Sequence, residues 1–218
     1  MTDAVTRLQK LDTCAVSDAL DKLGLPPAVT GIGRLSTDRR IAGKVLTVKL
    51  DKAEGQPPSR RHLCTAAIEA ASEGDVIVVE QRTGLDAASW GGTLSLGSKL
   101  NGVAGVIVEG PARDIDESRE LDFPVFARSL TAHTARGRIL EVATNEPVLV
   151  GDVTVHAGDY VIADGTGVAF VAAADIERVL EAAEFVVAKE KAMAEALRSG
   201  KPMSEVMGAN YENMLKKG

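Results

Sequence analysis

Aromatic side chains are scarce in this chain: its 218 residues include four Phe, two Tyr and one Trp, 3% of the total. A buried core must therefore be built from Val, Ile, Leu and Ala, and the 45% of apolar residues is typical of a globular protein. Cysteine is also rare. Cys14 and Cys64 show no Cys-x-x-Cys spacing, so we expect two free thiols in a reducing cytoplasm, neither of them a nucleophile.

An excess of positive charge and long apolar runs are missing as well. The formal net charge is −6, which argues against nucleic acid as an electrostatic partner because phosphate binding needs a basic face. No apolar run reaches the ~18 residues that a bilayer span requires. The chain does not open with the basic and then apolar segment of a signal peptide. We therefore expect a cytoplasmic protein without a membrane or nucleic-acid partner.

What the chain does contain is an alternation of helical and strand patterns. These patterns predict helices within 11–24, 60–71 and 93–101, and strands over 41–50, 76–80 and 103–109. Thr13 is the expected N-cap of the first helix, and Gly24 is its expected stop. In the second half, short strands with Gly-Asp breaks indicate a small β-layer or partial barrel. We expect a mixed α/β core rather than a doubly wound one.

A last, long helix is predicted from Asp175 to about Ser199, followed by a tail over 203–218 that is either a short helix or a frayed end. One stripe of this helix is apolar and consists of Ile176, Val179, Ala183, Val186, Ala194 and Leu197. Glu190 falls on the same stripe. A carboxylate there must be partnered, lie at a subunit boundary or have a raised pKa, unless the stripe ends before it.

Several familiar motifs are incomplete. The stretch "GIGRLS" (31–36) lacks the third glycine of a dinucleotide fingerprint and follows no strand. The stretch "AASWG" around Ser89 is one glycine short of a nucleophile elbow. His62, His133 and His156 are scattered without the i, i+4 spacing of a zinc helix. We expect each to be a surface or hydrogen-bonded structural histidine.

Two stretches remain as candidates for chemistry, and the first is "SWGGTLSLG" (89–97). Its Gly91 and Gly92 directly precede a predicted helix, where free backbone N–H groups suit a carboxylate or a phosphate. A tight loop that needs glycine for its backbone angles explains the same residues equally well.

The second candidate is the adjacent pair Arg113 and Asp114, which follows the apolar strand 103–109. Sites in α/β proteins collect in loops at the carboxyl ends of such strands. The pair is either solvated at the surface or directed at a shared third group. In the second case, Asp114 offers hard oxygen to Mg²⁺ or Mn²⁺, and the Arg113 guanidinium offers a fork to a carboxylate or a developing oxyanion.

Together, "ASWGGTLSLGSKLNGVAGVIVEGPARDIDE" (88–117) and the following "FPVFA" (123–127) closely resemble the RraA-like family. This family includes the class II 4-hydroxy-4-methyl-2-oxoglutarate / 4-carboxy-4-hydroxy-2-oxoadipate aldolases. The resemblance runs from "VSDAL" (16–20) to "ADGTGVAFV" (163–171), most of the chain. It implies one domain over 1–218 with a swivelling β/β/α fold of the phosphohistidine-domain type, assembled as a homotrimer or homohexamer.

The resemblance also implies roles for individual residues. Arg113 would bind the substrate and stabilise an enolate, and Asp114 would ligate a divalent metal, Mg or Mn. Backbone amides that hold the pyruvyl part of the substrate are implied for Gly91, Gly92, Thr93 and Leu94. Glu190 is the candidate for an acid that the C-terminal helix of a neighbouring chain adds to the site. Gly92 is a departure, because many members have an acidic residue there.

The implied function is that of a divalent-metal-dependent lyase. Such an enzyme cleaves a small 4-hydroxy-2-keto acid by a retro-aldol reaction into pyruvate and a second keto acid, and it also decarboxylates oxaloacetate. Two alternatives stay open. Some members of the family bind and inhibit ribonuclease E without necessary chemistry of their own, and the change at Gly92 is also compatible with a metal-dependent lyase for another keto acid.

Overall fold

The computed structural model describes residues 3–57, 59 and 61–208, which form a large mixed sheet with accompanying helices. The helices are α1 (Ala4–Leu8), α2 (Thr13–Leu23), α3 (Thr65–Ala70), α4 (Gly92–Leu100), α5 (Ile115–Glu120), α6 (Ile176–Arg198) and α7 (Met203–Val206), with a 3₁₀ turn at Ala173–Asp175. The strands are β1 (Gly33–Arg34), β2 (Ile41–Lys52), β3 (Val76–Gln81), β4 (Gly105–Ala112), β5 (Val125–Leu130), β6 (Ile139–Thr144), β7 (Val148–Val150), β8 (Val153–Val155), β9 (Tyr160–Ala163) and β10 (Val168–Val171).

The centre of the sheet is parallel. Its strand order is β1-β5-β4-β3-β2-β9-β10, with β6 also paired to β2, and the pairs from β2 through β5 are parallel. The outer pairs are antiparallel, and β7 and β8 form a separate hairpin. Parallel strands end at the same edge of a sheet, so the loops that leave β2, β3, β4 and β5 start from one edge.

Both faces of the parallel strands are buried, which explains why they read as continuous apolar runs rather than as alternating ones. Along β3, Ile77 and Val79 belong to the cluster that contains α3, α4 and α5, including Leu94 of α4. Val76 and Val78 point to the other face and join the valines of the β7–β8 hairpin. Successive side chains of a strand alternate between faces, so one short segment connects two cores.

The long C-terminal helix α6 packs with α1 and α2 in a third apolar cluster, together with residues of β9 and β10. Its buried stripe consists of Ile176, Val179, Leu180, Ala183 and Val186. The stripe ends there, and Glu190 lies on the exposed part of the helix that follows. The predicted mixed α/β class and the long helix are confirmed.

The predicted N-cap of the helix within 11–24, which is α2 in the structure, is wrong by one residue. Asp12 is the cap, since its side chain accepts a hydrogen bond of 2.8 Å from the backbone N–H of Ala15. Thr13 is the first helical residue, and its hydroxyl instead donates to the carbonyl of Gly167 at 3.4 Å. Gly24 ends the helix in a left-handed conformation, φ 64°, as predicted.

The helix predicted over 60–71 is shorter than its apolar pattern indicated. It begins at Thr65, because Cys64 has a left-handed backbone with φ 67° and cannot continue a right-handed helix. The strand predicted over 103–109 runs from Gly105 to Ala112. Of the strands in the second half, where a small β-layer or partial barrel is predicted, β7 and β8 form a two-stranded hairpin of their own, while β6, β9 and β10 join the main sheet.

The tail predicted over 203–218 is described only in part. Its first residues form the short helix α7, and residues 209–218 lie outside the described part of the chain. Within residues 3–57, 59 and 61–208, none of the helices has the length and apolar character needed to cross a membrane.

Asp164 connects α2 to the turn between β9 and β10. Its carboxylate accepts hydrogen bonds of 2.9 Å from the backbone N–H groups of Thr13 and Thr166, and Arg40 lies 3.8 Å away. Burial raises the pKa of Asp164, but these N–H donors and the positive charge outweigh burial and hold the pKa below its ordinary value. The ionised form therefore stabilises the fold.

We predict that Asp164→Asn lowers the free energy of unfolding at pH 7 by about 1–3 kcal/mol, because an amide nitrogen cannot accept one of these hydrogen bonds. The pKa is lower in the folded chain, so this contribution is complete above the unfolded pKa of about 3.9 and is lost as the pH falls through the folded value. Urea unfolding at pH 7 and pH 3 measures both effects. Asp38→Asn, in an exposed ion pair with Arg34, is the control; an equal loss at both pH values contradicts the prediction.

Candidate functional site

The candidate site lies where β3 and β4 end. Beyond the end of β3, Trp90 forms one further parallel bridge with Ala112, the last residue of β4. The N–H of Arg113 donates to the carbonyl of Trp90 at 3.0 Å, and the N–H of Ser89 donates to the carbonyl of Pro111 at 2.9 Å. These backbone bonds hold the glycine loop against the residues that follow β4. They bring the glycine stretch and the Arg113–Asp114 pair into contact, although Gly91 and Arg113 are 22 positions apart in the sequence.

Asp114 turns its carboxylate away from its own helix and toward α4. It occupies the N-cap position of α5 with a left-handed backbone, φ 55°, but its side chain makes no capping bond there. Instead, its Oδ2 accepts a hydrogen bond of 3.1 Å from the N–H of Gly92, the first residue of α4. The partial positive charge of a helix N-terminus favours a carboxylate at this place.

Arg113 and Asp114 also contact each other. Nε of Arg113 lies 3.3 Å from Oδ2 of Asp114, and 37% and 34% of the two side chains are exposed. This is a single contact rather than a bidentate pair. Among the described residues, the two terminal nitrogens of Arg113 have no hydrogen-bond partner, so their donors remain available to an anion.

The two glycines provide space rather than unusual backbone angles. Gly91 has an extended backbone, φ −155°, that any residue adopts. A Cβ atom at Gly91 would lie 2.7 Å from Oδ2 of Asp114, and a Cβ atom at Gly92 would overlap Oε2 of Glu117. The interpretation that the loop needs glycine for its angles is therefore wrong at Gly91, since the missing side chains make room for two carboxylates.

A cleft opens beside these residues, with about 420 Å³ of empty space that includes the solvent at its mouth. Five of the residues identified in the sequence line it: Gly91, Thr93, Leu94, Arg113 and Asp114. The N–H groups of Thr93 and Leu94 belong to the first turn of α4, where no preceding turn can accept their hydrogen bonds. The N–H of Gly92 already binds Asp114, and Gly92 itself does not line the cleft.

Other residues of the cleft were not identified from the sequence. His62 and Leu63 follow β2, and Thr134 and Ala135 follow β5. His62, expected to be a surface or hydrogen-bonded structural histidine, is exposed, and its Nδ1 lies 3.1 Å from the carbonyl of Leu63; it also lines the cleft. The sequence could have indicated these residues by their position after parallel strands, because the loops that follow such strands lie together at one edge of the sheet.

Trp90 forms the floor of the cleft and fixes α4 against α5. Its ring stacks on Phe123 with a centroid distance of 6.3 Å. Its indole N–H donates to Oγ of Ser95 at 3.0 Å, and Oγ of Ser95 lies 2.9 Å from Oγ of Ser118 on α5. All four side chains are almost completely buried. This chain of contacts makes the relative position of the two helices rigid.

The buried side chains of Cys64 and Ser89 show no feature of an activated nucleophile at the cleft. Burial raises the pKa of Cys64 well above its ordinary value, with a further increase from Glu141, so the thiol is not activated. Ser89 is fully buried and does not line the cleft. Cys14 is exposed, and both cysteines are free, as expected.

Glu190 does not line the cleft of its own chain. Although Glu190 is exposed, its pKa is raised, first by partial desolvation and then by the negative charges of Asp12 and Asp18 near the start of α2. The buried residues of α6 end at Val186, so the alternative in which the apolar stripe ends before Glu190 is confirmed. Its contribution to the site of a neighbouring chain stays a prediction.

A family model described as RraA-like (Aldolase/RraA) matches residues 13–170, which include every element that builds the cleft. The chain belongs to the RraA-like family. A relative in Halalkalibacterium halodurans, named "Putative 4-hydroxy-4-methyl-2-oxoglutarate aldolase", is 30% identical over 199 residues that cover 89% of each chain. This RraA-like protein is also 24% identical over 205 residues to protein DlpA of Legionella pneumophila, but it spans only 33% of DlpA.

Solved structures share the fold of this chain. An uncharacterized protein from Pseudomonas syringae superimposes with a TM-score of 0.84 at 27% identity, covering 94% of this RraA-like chain and 96% of the other. Streptomyces coelicolor RraAS2, described as an unusual member of the RNase ES inhibitor RraA protein family, gives 0.76 at 23% identity, covering 92% and 98%. The second likeness concerns the fold alone, and together they confirm the predicted fold class.

We predict that Ser95→Ala destabilises this RraA-like protein by about 1–3 kcal/mol, because it leaves the buried N–H of Trp90 without an acceptor. Urea unfolding followed by the fluorescence of Trp90, the single tryptophan, measures the loss. Ser98→Ala is a matched control on the same helix, since the buried Ser98 hydroxyl has no partner among the described residues. Equal losses in the two variants contradict the assigned role of Ser95.

Proposed function

We propose that this RraA-like protein is a divalent-metal-dependent lyase that cleaves a small 4-hydroxy-2-keto acid into pyruvate and a second keto acid. The observation that carries this proposal is the meeting of Arg113, Asp114 and the first turn of α4 around one cleft. The cleft places polar groups beside apolar ones, a combination typical of small-molecule sites. The names of relatives 30–36% identical support aldolase chemistry, a lyase reaction.

The donor set fits Mg²⁺ or Mn²⁺. Among the described residues, no group of three or more His, Cys, Asp or Glu side chains is arranged to hold a metal. Mg²⁺ commonly binds one or two carboxylates and takes its remaining oxygens from water and substrate. Asp114 offers such a carboxylate at the cleft. A bound divalent cation would supply Lewis-acid polarisation of the 2-keto oxygen.

The chain's own residues would bind and orient the pyruvyl part of the substrate. The N–H groups of Thr93 and Leu94 would donate to its carboxylate, helped by the positive end of the α4 dipole. The terminal guanidinium nitrogens of Arg113, which have no partner among the described residues, would donate to the oxygen that becomes negative when the carbon–carbon bond breaks. Donors placed in advance around a developing enolate lower the barrier of such a reaction.

The same arrangement serves oxaloacetate decarboxylation, because loss of CO₂ leaves the same pyruvate enolate for Arg113 to stabilise. We further propose that the protein acts as a homotrimer or homohexamer in which Glu190 of one chain completes the cleft of the next. In that role, its raised pKa suits a group that exchanges a proton with the substrate.

We predict that Arg113→Ala lowers pyruvate release about 10²–10³-fold, the usual effect of removing one oxyanion donor. Release is measured from oxaloacetate and from 4-carboxy-4-hydroxy-2-oxoadipate with a coupled lactate dehydrogenase assay, after subtraction of the enzyme-free rate. Arg119→Ala removes an exposed arginine of α5 that pairs with Asp116, and it should leave the rate unchanged. Release at the wild-type rate by Arg113→Ala contradicts the assigned role.

We predict that Asp114→Asn abolishes the stimulation of pyruvate release by Mg²⁺, because a neutral amide is a poor ligand for a hard cation. Asparagine tolerates the left-handed backbone at this position, so the variant should fold normally. The assay compares added Mg²⁺ with EDTA for both proteins. Stimulation that survives in the variant places the metal elsewhere, and no release by folded wild-type protein from either substrate favours a non-catalytic role.

A further inference from the structure

The turn over residues 62–65 builds one wall of the cleft and has a strained backbone. His62 and Leu63 line the cleft, and the N–H and the hydroxyl of Thr65 both donate to the carbonyl of His62, at 3.4 Å and 2.8 Å. Cys64 occupies the third position of this turn with φ 67° and ψ −7°, a conformation that favours glycine or asparagine. A cysteine stays in such a conformation where the surrounding contacts hold it there.

Two contacts of Cys64 hold it in this conformation. Its backbone N–H donates to Oε2 of Glu141 at 2.5 Å, and its fully buried thiol donates to the carbonyl of Ser89 at 3.8 Å. The thiol contact joins the turn to the glycine loop, because Ser89 directly precedes Trp90. The contact with Glu141 joins the turn to β6, and it uses an N–H that a turn of this kind does not bond internally.

Glu141 is an unusual residue for its place in the sheet. It pairs with Leu50 of β2, and Ile139, two positions earlier in β6, belongs to the apolar cluster that contains Leu50 and Cys64. Residues two apart share one face of a strand, so the carboxylate of Glu141 lies at the border of that cluster, where an unpaired charge is costly. Its other oxygen accepts from the hydroxyl of Thr144. An apolar side chain would suit this face better, which indicates that the carboxylate serves the N–H of Cys64.

We propose that Glu141 is a positioning residue of the cleft: by accepting the N–H of Cys64, it keeps the turn in the conformation that presents His62 and Leu63 to a ligand. This inference rests on the proposed function, which supplies the reaction in which that wall takes part. Glu141 does not line the cleft itself, so it acts through the turn rather than through contact with a substrate.

The alkylation rate of Cys64 reports the state of the turn without any substrate. Iodoacetamide is added to the full-length protein, and tryptic mass mapping follows Cys64 and the exposed Cys14 separately. We expect Glu141→Ala to raise the rate at Cys64 about tenfold or more, because a turn without its acceptor opens locally, while Cys14 reacts at an unchanged rate. Glu141→Gln keeps an oxygen that accepts the N–H, and its rate should stay within about twofold of the wild type.

Two controls separate this hydrogen bond from other effects of the substitution. Burial and, to a smaller extent, the negative charge of Glu141 raise the pKa of the Cys64 thiol, so removal of the charge alone would speed alkylation. Glu141→Gln removes the same charge, and a reaction as fast as in Glu141→Ala therefore contradicts the proposal. Asp164→Asn weakens the fold at α2 and the turn between β9 and β10; an equal increase at Cys64 in this variant would make the opening global and also contradicts the proposal.

The kinetic constants for pyruvate release test whether the turn matters to the site. They are measured on oxaloacetate and on 4-carboxy-4-hydroxy-2-oxoadipate with added Mg²⁺. We expect Glu141→Ala to raise KM about fivefold or more and to keep kcat within about twofold, because a displaced wall removes binding that is equal in the ground state and the transition state. Glu141→Gln should restore both constants. Glu146→Ala removes an exposed carboxylate from the loop after β6 and should alter neither.

The outcomes separate this inference from the proposed function. If the wild type releases pyruvate while Glu141→Ala has wild-type kinetic constants or a wild-type alkylation rate, the inference is overturned and the proposed function stands. If the folded wild type releases no pyruvate from either substrate, both are overturned, and faster alkylation in Glu141→Ala then reports a structural bond alone. Faster alkylation of Cys64 together with a higher KM, both reversed in Glu141→Gln, supports Glu141 as a positioning residue.

Discussion

The backbone pairing of β3 with β4, continued by the bridge between Trp90 and Ala112, is the constraint on which the site depends. It fixes the glycine loop and the Arg113–Asp114 turn in one register. A slip of one residue would reverse the direction of every side chain along the strand and would separate Asp114 from the start of α4. The chemistry of the site is thus supported by hydrogen bonds of the main chain, which side-chain substitutions leave in place.

Side-chain packing below the cleft holds the loop and the two helices rigidly in this register. The stacked rings of Trp90 and Phe123 fill the space under the loop, and the hydroxyls of Ser95 and Ser118 join α4 to α5. Both helices carry functional groups at their first turns. Because the two helices are fixed to each other, the distance between the N–H groups of one and the carboxylates of the other is set before a ligand binds, which reduces the cost of ordering the site.

The fold supports more than one kind of function, so the assignment must rest on the site. Structural neighbours of this chain include a protein described within an RNase inhibitor family, while sequence relatives have aldolase names. What favours a lyase here is the set of groups at one sheet edge: a guanidinium whose terminal nitrogens have no partner in the described part of the chain, a carboxylate on a helix N-terminus, and N–H groups in the first turn of the same helix. A protein-binding surface does not require such convergence.

The sequence by itself determined the buried strands, the long helix α6, the family and the Arg113–Asp114 pair, because these depend on local periodicity and on a contiguous motif. It placed the first N-cap one residue late and started α3 too early, since the side-chain bond of Asp12 and the left-handed backbone of Cys64 leave no periodic signal. Only the tertiary structure brought His62 and Thr134 to the cleft and Glu117 into the space at Gly92. Those contacts join different loops and helices, and they arise from strand order and steric fit.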